Sequence, residues 1–314
     1  MALAEGEWNL SYSANGVLPA ASFTFGTFDT GYWLIEPYEI TYADPDVGDA
    51  AMPREDNTRF GEDYRGQATL TFEVGVDTVD AASTQRGRHG ANLDAVSVMM
   101  QAWDGEAVRK RVATPAVLRT TQGGRARRFY GRPRKAAPAG SKLTWHGYTP
   151  VVATFVCVDR TAYDDTEKSI RVDLVPPPHR GLVGPLKEPL SMTGEGSSLK
   201  PGAVVIGGQR PTWPVIRIYG PISSPACEVA GSWKVELSGL SLAAGQYVTI
   251  DPRPWARTVV RNSGASVAGQ LTRASPRLRD LRLPIGRHDF ILRGTDPTGN
   301  AYMTVAWRDA YSYL

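Results

Sequence analysis

Carboxylates, thiols, imidazoles and clustered arginines are the residues here that could carry chemistry. Glu36 and Glu39, then Asp44, Asp46 and Asp49, crowd one short stretch. Two carboxylates facing each other across a cleft could serve as the acid and base of glycoside hydrolysis. The run DPDVGD has a loose likeness to a calcium loop, but it lacks the twelve-residue pattern and its terminal bidentate Glu. Lying between apolar runs, it reads more simply as a solvated acidic loop. Asp164-Asp165 in AYDDTEK likewise reads as a turn.

The two cysteines, Cys157 and Cys227, stand in the apolar contexts TFVCV and SPACEV. Two cysteines make neither a disulfide-dense scaffold nor a four-ligand zinc site, so reduced core thiols are expected. The four histidines are scattered, with no HExxH. There is no GxSxG elbow and no phosphate-binding glycine loop. No catalytic residue, metal or cofactor is assigned, and the expectation is a protein that is not an enzyme.

Charge is the stronger signal. Residues 1–66 carry twelve acids and three bases, whereas 107–158 carry eleven bases and no acid. Ten of those bases lie between Arg109 and Lys135, in RKRVATPAVLRTTQGGRARRFYGRPRK. With Phe129 and Tyr130 inside it, such a stretch could bind nucleic acid. It could instead meet an acidic surface on another copy of the chain, which residues 1–66 would supply. It could also be a solvated hairpin. No known nucleic-acid motif is present, which disfavours the first reading.

Aromatic residues of the C-terminal half, Trp213, Trp233, Tyr247, Trp255 and Trp307, could include a sugar-stacking platform. The plainer reading places most of them in the core or in cross-strand pairs.

These residues belong to a chain of 314 residues with 42% hydrophobic and 21% charged content, ordinary values for a folded protein. Its length suggests two domains. No run of about 18 apolar residues is present, so no transmembrane helix is expected. The N-terminus lacks the basic and apolar regions of a secretory signal. The bases are 28 Arg against seven Lys, alongside 32 Gly and 23 Pro. That bias reads as GC-rich coding, as in an actinobacterial genome or one of its viruses.

From Pro176 to Gly202 the chain holds six prolines and five glycines in 27 residues, which reads as a linker. It would separate an N-terminal domain, 1–175, from a C-terminal domain, 203–314. The latter alternates short β-rich runs with turns: AVVI, VIRIYG, SWKVELS, QYVTID, RTVVR, DLRLPIG, DFILRG and AYMTVAWR. Such spacing predicts a β-sandwich. The N-terminal domain has the strand-like runs SFTFGTF, YWLIEPYEITY, RGQATLTFEVGV and TPVVATFVCVD, and a hairpin about Gly123-Gly124. One helix is predicted over 91–110, capped by Asn92, with Leu93, Val96, Met100, Trp103 and Ala107 as its apolar stripe.

The order of these parts resembles the distal tail protein family of phages with long, flexible, non-contractile tails (siphoviruses). The source suggested by composition would make it an actinobacteriophage. The resemblance is carried by PVIRIYGPISSPACEV, AGQYVTIDPRPWARTV and LPIGRHDFILRGTDPTGNAYMTVAWRDAY in the C-terminal half. In the N-terminal half it is carried by RGQATLTFEVGV, the single helix and ATFVCVDRTAYDD.

The resemblance implies a mostly β chain: an N-terminal ring-forming (belt) domain with one helix, then a galectin-like β-sandwich. It implies a structural virion protein made in the host cytoplasm and placed at the tail tip. There a homo-hexameric ring would join the tail tube to the tail hub or baseplate and support adsorption. Its partners would be itself, the tube and hub proteins, and the tape-measure protein or other minor tail proteins, with no membrane and no nucleic acid. From the acid-free stretch, Arg125, Arg127, Arg128 and Arg132 are expected to face an acidic surface on a neighbouring subunit or on another tail protein. A carbohydrate-binding adsorption module is the alternative function, and a glycan-active enzyme ranks below it.

Overall fold

The structure, a computed structural model, describes residues 2–54, 56–174, 202–296 and 298–314. The chain divides into two units, Met1–Asp165 with Tyr311–Leu314, and Thr166–Ala310. Both are mostly β.

In the first unit, β1 (Trp8–Tyr12), β2 (Ala21–Phe25), β3 (Tyr32–Leu34) and β4 (Glu39–Tyr42) precede four two-residue strands. These are β5 (Asp46–Val47), β6 (Ala50–Ala51), β7 (Thr58–Arg59) and β8 (Asp63–Tyr64). Then come β9 (Ala68–Asp77), helices α1 (Gln85–Asp104) and α2 (Glu106–Arg109), β10 (Ala116–Gln122), β11 (Arg125–Pro138), β12 (Tyr148–Cys157) and β13 (Ala162–Asp164). The main sheet runs β2-β1-β10-β11-β12-β9-β3, with β4 beside β9 and β13 beside β11. It nearly closes into a barrel, because Gly26 N donates to Tyr32 O at 2.7 Å and so ties the end of β2 to β3.

Period-two burial explains these strands. Along β12 buried and half-buried residues alternate, and Val151, Ala153, Phe155 and Cys157 face the core. Trp8, Phe25, Phe72 and Trp103 fill the centre with ring centroids 4.9–5.6 Å apart in edge-to-face pairs. The runs 22–28, 65–76 and 149–159 become strands as expected. The run 32–42 splits into β3 and β4 around Pro37, which has no N–H for the β9 ladder.

The helix differs from its sequence expectation. Thr84, not Asn92, is the N-cap, its hydroxyl accepting from Gly87 N at 3.1 Å. Asn92 lies mid-helix and fully buried. The apolar face is turned accordingly: Met99, Ala102 and Trp103 are buried, whereas Leu93 is 52% exposed. Gly105, at φ +55°, ends α1 at Asp104, short of the expected limit at 110.

The second unit contains β14 (Lys168–Asp173), β15 (Ala203–Ile206), β16 (Val215–Tyr219), β17 (Ile222–Val229), β18 (Trp233–Glu236) and β19 (Ser241–Leu242). It continues with β20 (Tyr247–Asp251), β21 (Thr258–Arg261), β22 (Gly286–Thr295) and β23 (Tyr302–Trp307). One antiparallel sheet is β14-β23-β16-β20-β21; the other is β15-β22-β17-β18 with β19 on β17. Ile216, Val248 and Met303 from the first meet Cys227, Phe290 and Leu292 from the second in one core, which makes a sandwich.

The unit boundary falls at Asp165/Thr166, short of the expected limit at 175. The reason is β14, which pairs with β23 in register Ile170↔Val305 and buries Val172 in the second core. Except for Gly202, the expected linker 176–202 lies outside the described residues. The strands on either side of it, β14 and β15, both belong to the second unit. The run 280–286 is not a strand: a 3-10 turn, Leu278–Asp280, precedes it.

Candidate assembly surface

The Arg-rich hairpin forms as its glycines demand. Gly123 and Gly124 take φ of +57° and +70°, the left-handed pair that a two-residue turn between twisted strands needs. Glu5 receives both turn N–H groups, Gly124 N at 3.0 Å. Register along β10 and β11 runs from Gln122↔Arg125 to Ala116↔Gly131.

The four arginines named from the sequence do not share one environment. Arg127 is buried, with its guanidinium 3.5 Å from Asp164 and 3.7 Å from the Tyr311 ring centre. Arg128 donates Nε and Nη2 to Asp165 at 2.9 and 2.7 Å. Arg132 donates to the carbonyls of Thr114, at 3.3 Å, and of Arg111. Arg125 is exposed and reaches Leu314 O at 3.4 Å. β13 thus supplies carboxylates beside the arginines of β11, through the pairing Arg127↔Asp164 and Arg128↔Tyr163. The interleaved aromatics are not on the surface either: Phe129 and Tyr130 are 4% and 8% exposed.

The acidic stretch becomes an arm rather than a plain loop. β5 pairs with β8 and β6 with β7, a two-stranded hairpin. Every described residue from Thr41 to Arg65 is exposed. The legs cross tightly, since a Cβ on Gly61 would come 2.1 Å from Gly48 O. Asp49 Oδ1 accepts from Gly61 N at 3.0 Å in the same crossing. Arg160 clamps the root: its Nε donates to Gly66 O at 3.0 Å, its Nη2 donates to Ala43 O, and its guanidinium sits 5.1 Å from the Tyr42 ring centre. Sequence reasoning passed over Arg160, because nothing in VDRTAYDD signals a partner some hundred residues upstream.

The other candidates take structural places. Glu36, Glu39, Asp44, Asp46 and Asp49 are exposed at the arm and its approach. Both cysteines are free and buried, and burial pushes both thiols well above their usual range, with the charges of Asp159 and Glu228 adding to it. Among the described residues no group of three or more His, Cys, Asp or Glu could hold a metal ion. No helix there is long and apolar enough to cross a membrane.

The aromatic candidates do not make one platform. Trp213 and Trp307 are buried, and Trp233 packs edge-on against Phe290 at 6.2 Å. Trp255 has the Arg253 guanidinium 5.3 Å from its ring centre. Tyr247 belongs to a ladder across the outer face of one sheet: Arg171 lies 3.9 Å over Tyr302, Tyr302 stacks on Tyr219 at 4.6 Å, and Tyr219 tilts toward Tyr247 at 5.3 Å. Rings that face one another present edges outward, whereas a pyranose stacks on an open face.

No protein-family model matches the sequence, and no curated protein matches it significantly. Solved structures do. A chain of the phage P2 baseplate, in its activated conformation with Ca, aligns over 98% of this chain and 99% of its own, with 8% identity and a TM-score of 0.51. The strontium form of the phage p2 baseplate aligns over 96% and 97%, with 8% identity and a TM-score of 0.48. The Dit protein of phage SPP1, described as a paradigm of hub adsorption apparatus in phages infecting Gram-positive hosts, aligns over 89% and 91%, with 14% identity and a TM-score of 0.47. At such identities the likeness is one of fold. The mostly β architecture read from the sequence is thus the one observed.

Proposed function

We propose that the chain is a structural protein of a phage tail tip, of the distal tail kind, which assembles as a six-membered ring between the tail tube and the hub or baseplate and supports adsorption. One observation carries this reading: the fold runs end to end with a chain of a phage baseplate, both units included. The surface agrees with an assembly role, because among the described residues its most distinctive features are an exposed acidic arm and the exposed cations at the bulge of β11. Tube, hub, tape-measure and minor tail proteins are its partners in this reading, and the virion is its location. Of the four arginines expected at the subunit contact, Arg125 is the exposed one, with a 3.4 Å contact to Leu314 O; Arg127, Arg128 and Arg132 are less exposed and held by partners in their own chain. An antibody against the purified chain tests the location. Gold at the end of the tail remote from the head is the expected image. Absence of the chain from purified virions, or label on the head, would overturn the reading.

A further inference from the structure

On β11 the register against β12 shifts between Pro133 and Ala136, a bulge that holds Arg134 and Lys135. Both are exposed. Arg132 pins the loop after α2 beside them through the carbonyls of Arg111 and Thr114. That loop carries Arg111, exposed, and Val112, 92% exposed. The nearest carboxylates in sequence are already taken, Asp104 by Arg109 at 3.2 Å and Glu106 by Lys110. Among the described residues Arg111, Arg134 and Lys135 form no ion pair. Burial, and after it the charge of Arg134, hold the Arg132 guanidinium below its usual pKa.

The arm has the opposite character. Residues 44–64 contain seven carboxylates and two arginines. They also expose Val47, Met52, Phe60 and Tyr64, at 53, 40, 84 and 64%. A lone two-stranded hairpin is at best marginally stable in water. The Arg160 clamp and the Gly48–Gly61 crossing nevertheless give this one a fixed root and shape. With about ten residues in each leg it reaches roughly 30 Å at 3.3 Å per residue. In its own chain its described residues all stay exposed. Carboxylates around apolar side chains on one surface, and cations around Val112 on the other, match the apolar centre and polar rim of protein interfaces.

We infer that the acidic arm of one copy docks on the cluster Arg111, Arg134 and Lys135, around Val112, of a second copy. The inference rests on the reading that copies of the chain assemble, and it names the surfaces that do so. Arm and cluster are different surfaces, so the contact is heterologous and repeats from copy to copy until the rotation closes a ring. Nucleic acid is the less suitable occupant, because base stacking needs open aromatic faces, and Phe129 and Tyr130 are buried.

Two full-length charge-reversed variants test this. The arm variant carries Asp44→Lys, Asp46→Lys and Asp63→Lys; the cluster variant carries Arg111→Glu, Arg134→Glu and Lys135→Glu. Native mass spectrometry and sedimentation are read for wild type, each variant and their equimolar mixture, with circular dichroism and thermal unfolding to verify folding. Wild type should assemble, more weakly at high salt. Each folded variant alone should lose at least about ten-fold in association. The mixture should recover assembly with the two variants alternating, because every mixed contact again joins opposite charges. Variants that assemble like wild type would overturn the inference while leaving the ring itself intact. Monomeric variants that stay monomeric when mixed would also overturn it. Wild type that is monomeric throughout would remove the contact, with the tail location still decided separately by the gold label. A cluster variant altered only in retention of a DNA fragment would assign the cluster to nucleic acid instead.

Discussion

Asn92 shows how one buried amide can tie elements together. Its Nδ2 donates to Val76 O and Gly147 O, each at 3.0 Å, and its Oδ1 accepts the Thr149 hydroxyl. Helix, β9 and β12 therefore meet at a fully satisfied polar group, where an unmet partner is costly. Asn92→Ala should cost about 1–3 kcal/mol in denaturant unfolding. No loss of stability would contradict this role. The sequence places Asn92 at a helix start because asparagine is a common cap; what hid the true start is the weak helix propensity of Gly87 and Gly90. The thiols were easier to read. With both buried and both pKa values raised, the reactive thiolate is scarce at neutral pH. A thiol reagent at pH 8 should therefore modify neither cysteine in the native protein and both after denaturation. Rapid native labelling would contradict their burial.

At the scale of elements, the arm depends on two local features. Gly61→Ala sets a methyl group against the Gly48 carbonyl, and Arg160→Ala frees the Ala43 and Gly66 carbonyls at the root. Both changes should speed trypsin cleavage at Arg54 and Arg59 several-fold while leaving global unfolding nearly unchanged. Equal cleavage rates would show that neither feature shapes the arm. Strands with clean alternation, such as β12 and β23, were legible from pattern alone. β17 was not read as a strand, because Pro225 interrupts it. The structure accommodates that proline at a bulge, where register shifts between Ser223 and Ala226 and Ser224 takes φ +46°. The hairpin about Gly123-Gly124 was legible, but the carboxylates of Asp164 and Asp165 beside it were not. They come from the end of β13 and the residue after it, and only the tertiary pairing of β11 with β13 brings them there.

At the scale of the whole molecule, the uneven charge noticed along the chain divides in two. Part is neutralised internally, by Asp164 and Asp165 at Arg127 and Arg128. The rest remains on the surface, on the arm and on the bulge of β11. Sequence showed that acids and bases were segregated; it could not show which were already matched, because that depends on which strands become neighbours. The unmatched remainder is what the proposed head-to-tail contact would use. The most direct measurement is the native mass of the purified full-length chain, followed by negative-stain imaging. A ring-forming tail-tip protein predicts six-fold rings of about six times 34.1 kDa that fall apart as salt is raised. A single species of 34.1 kDa at every salt and protein concentration would contradict it.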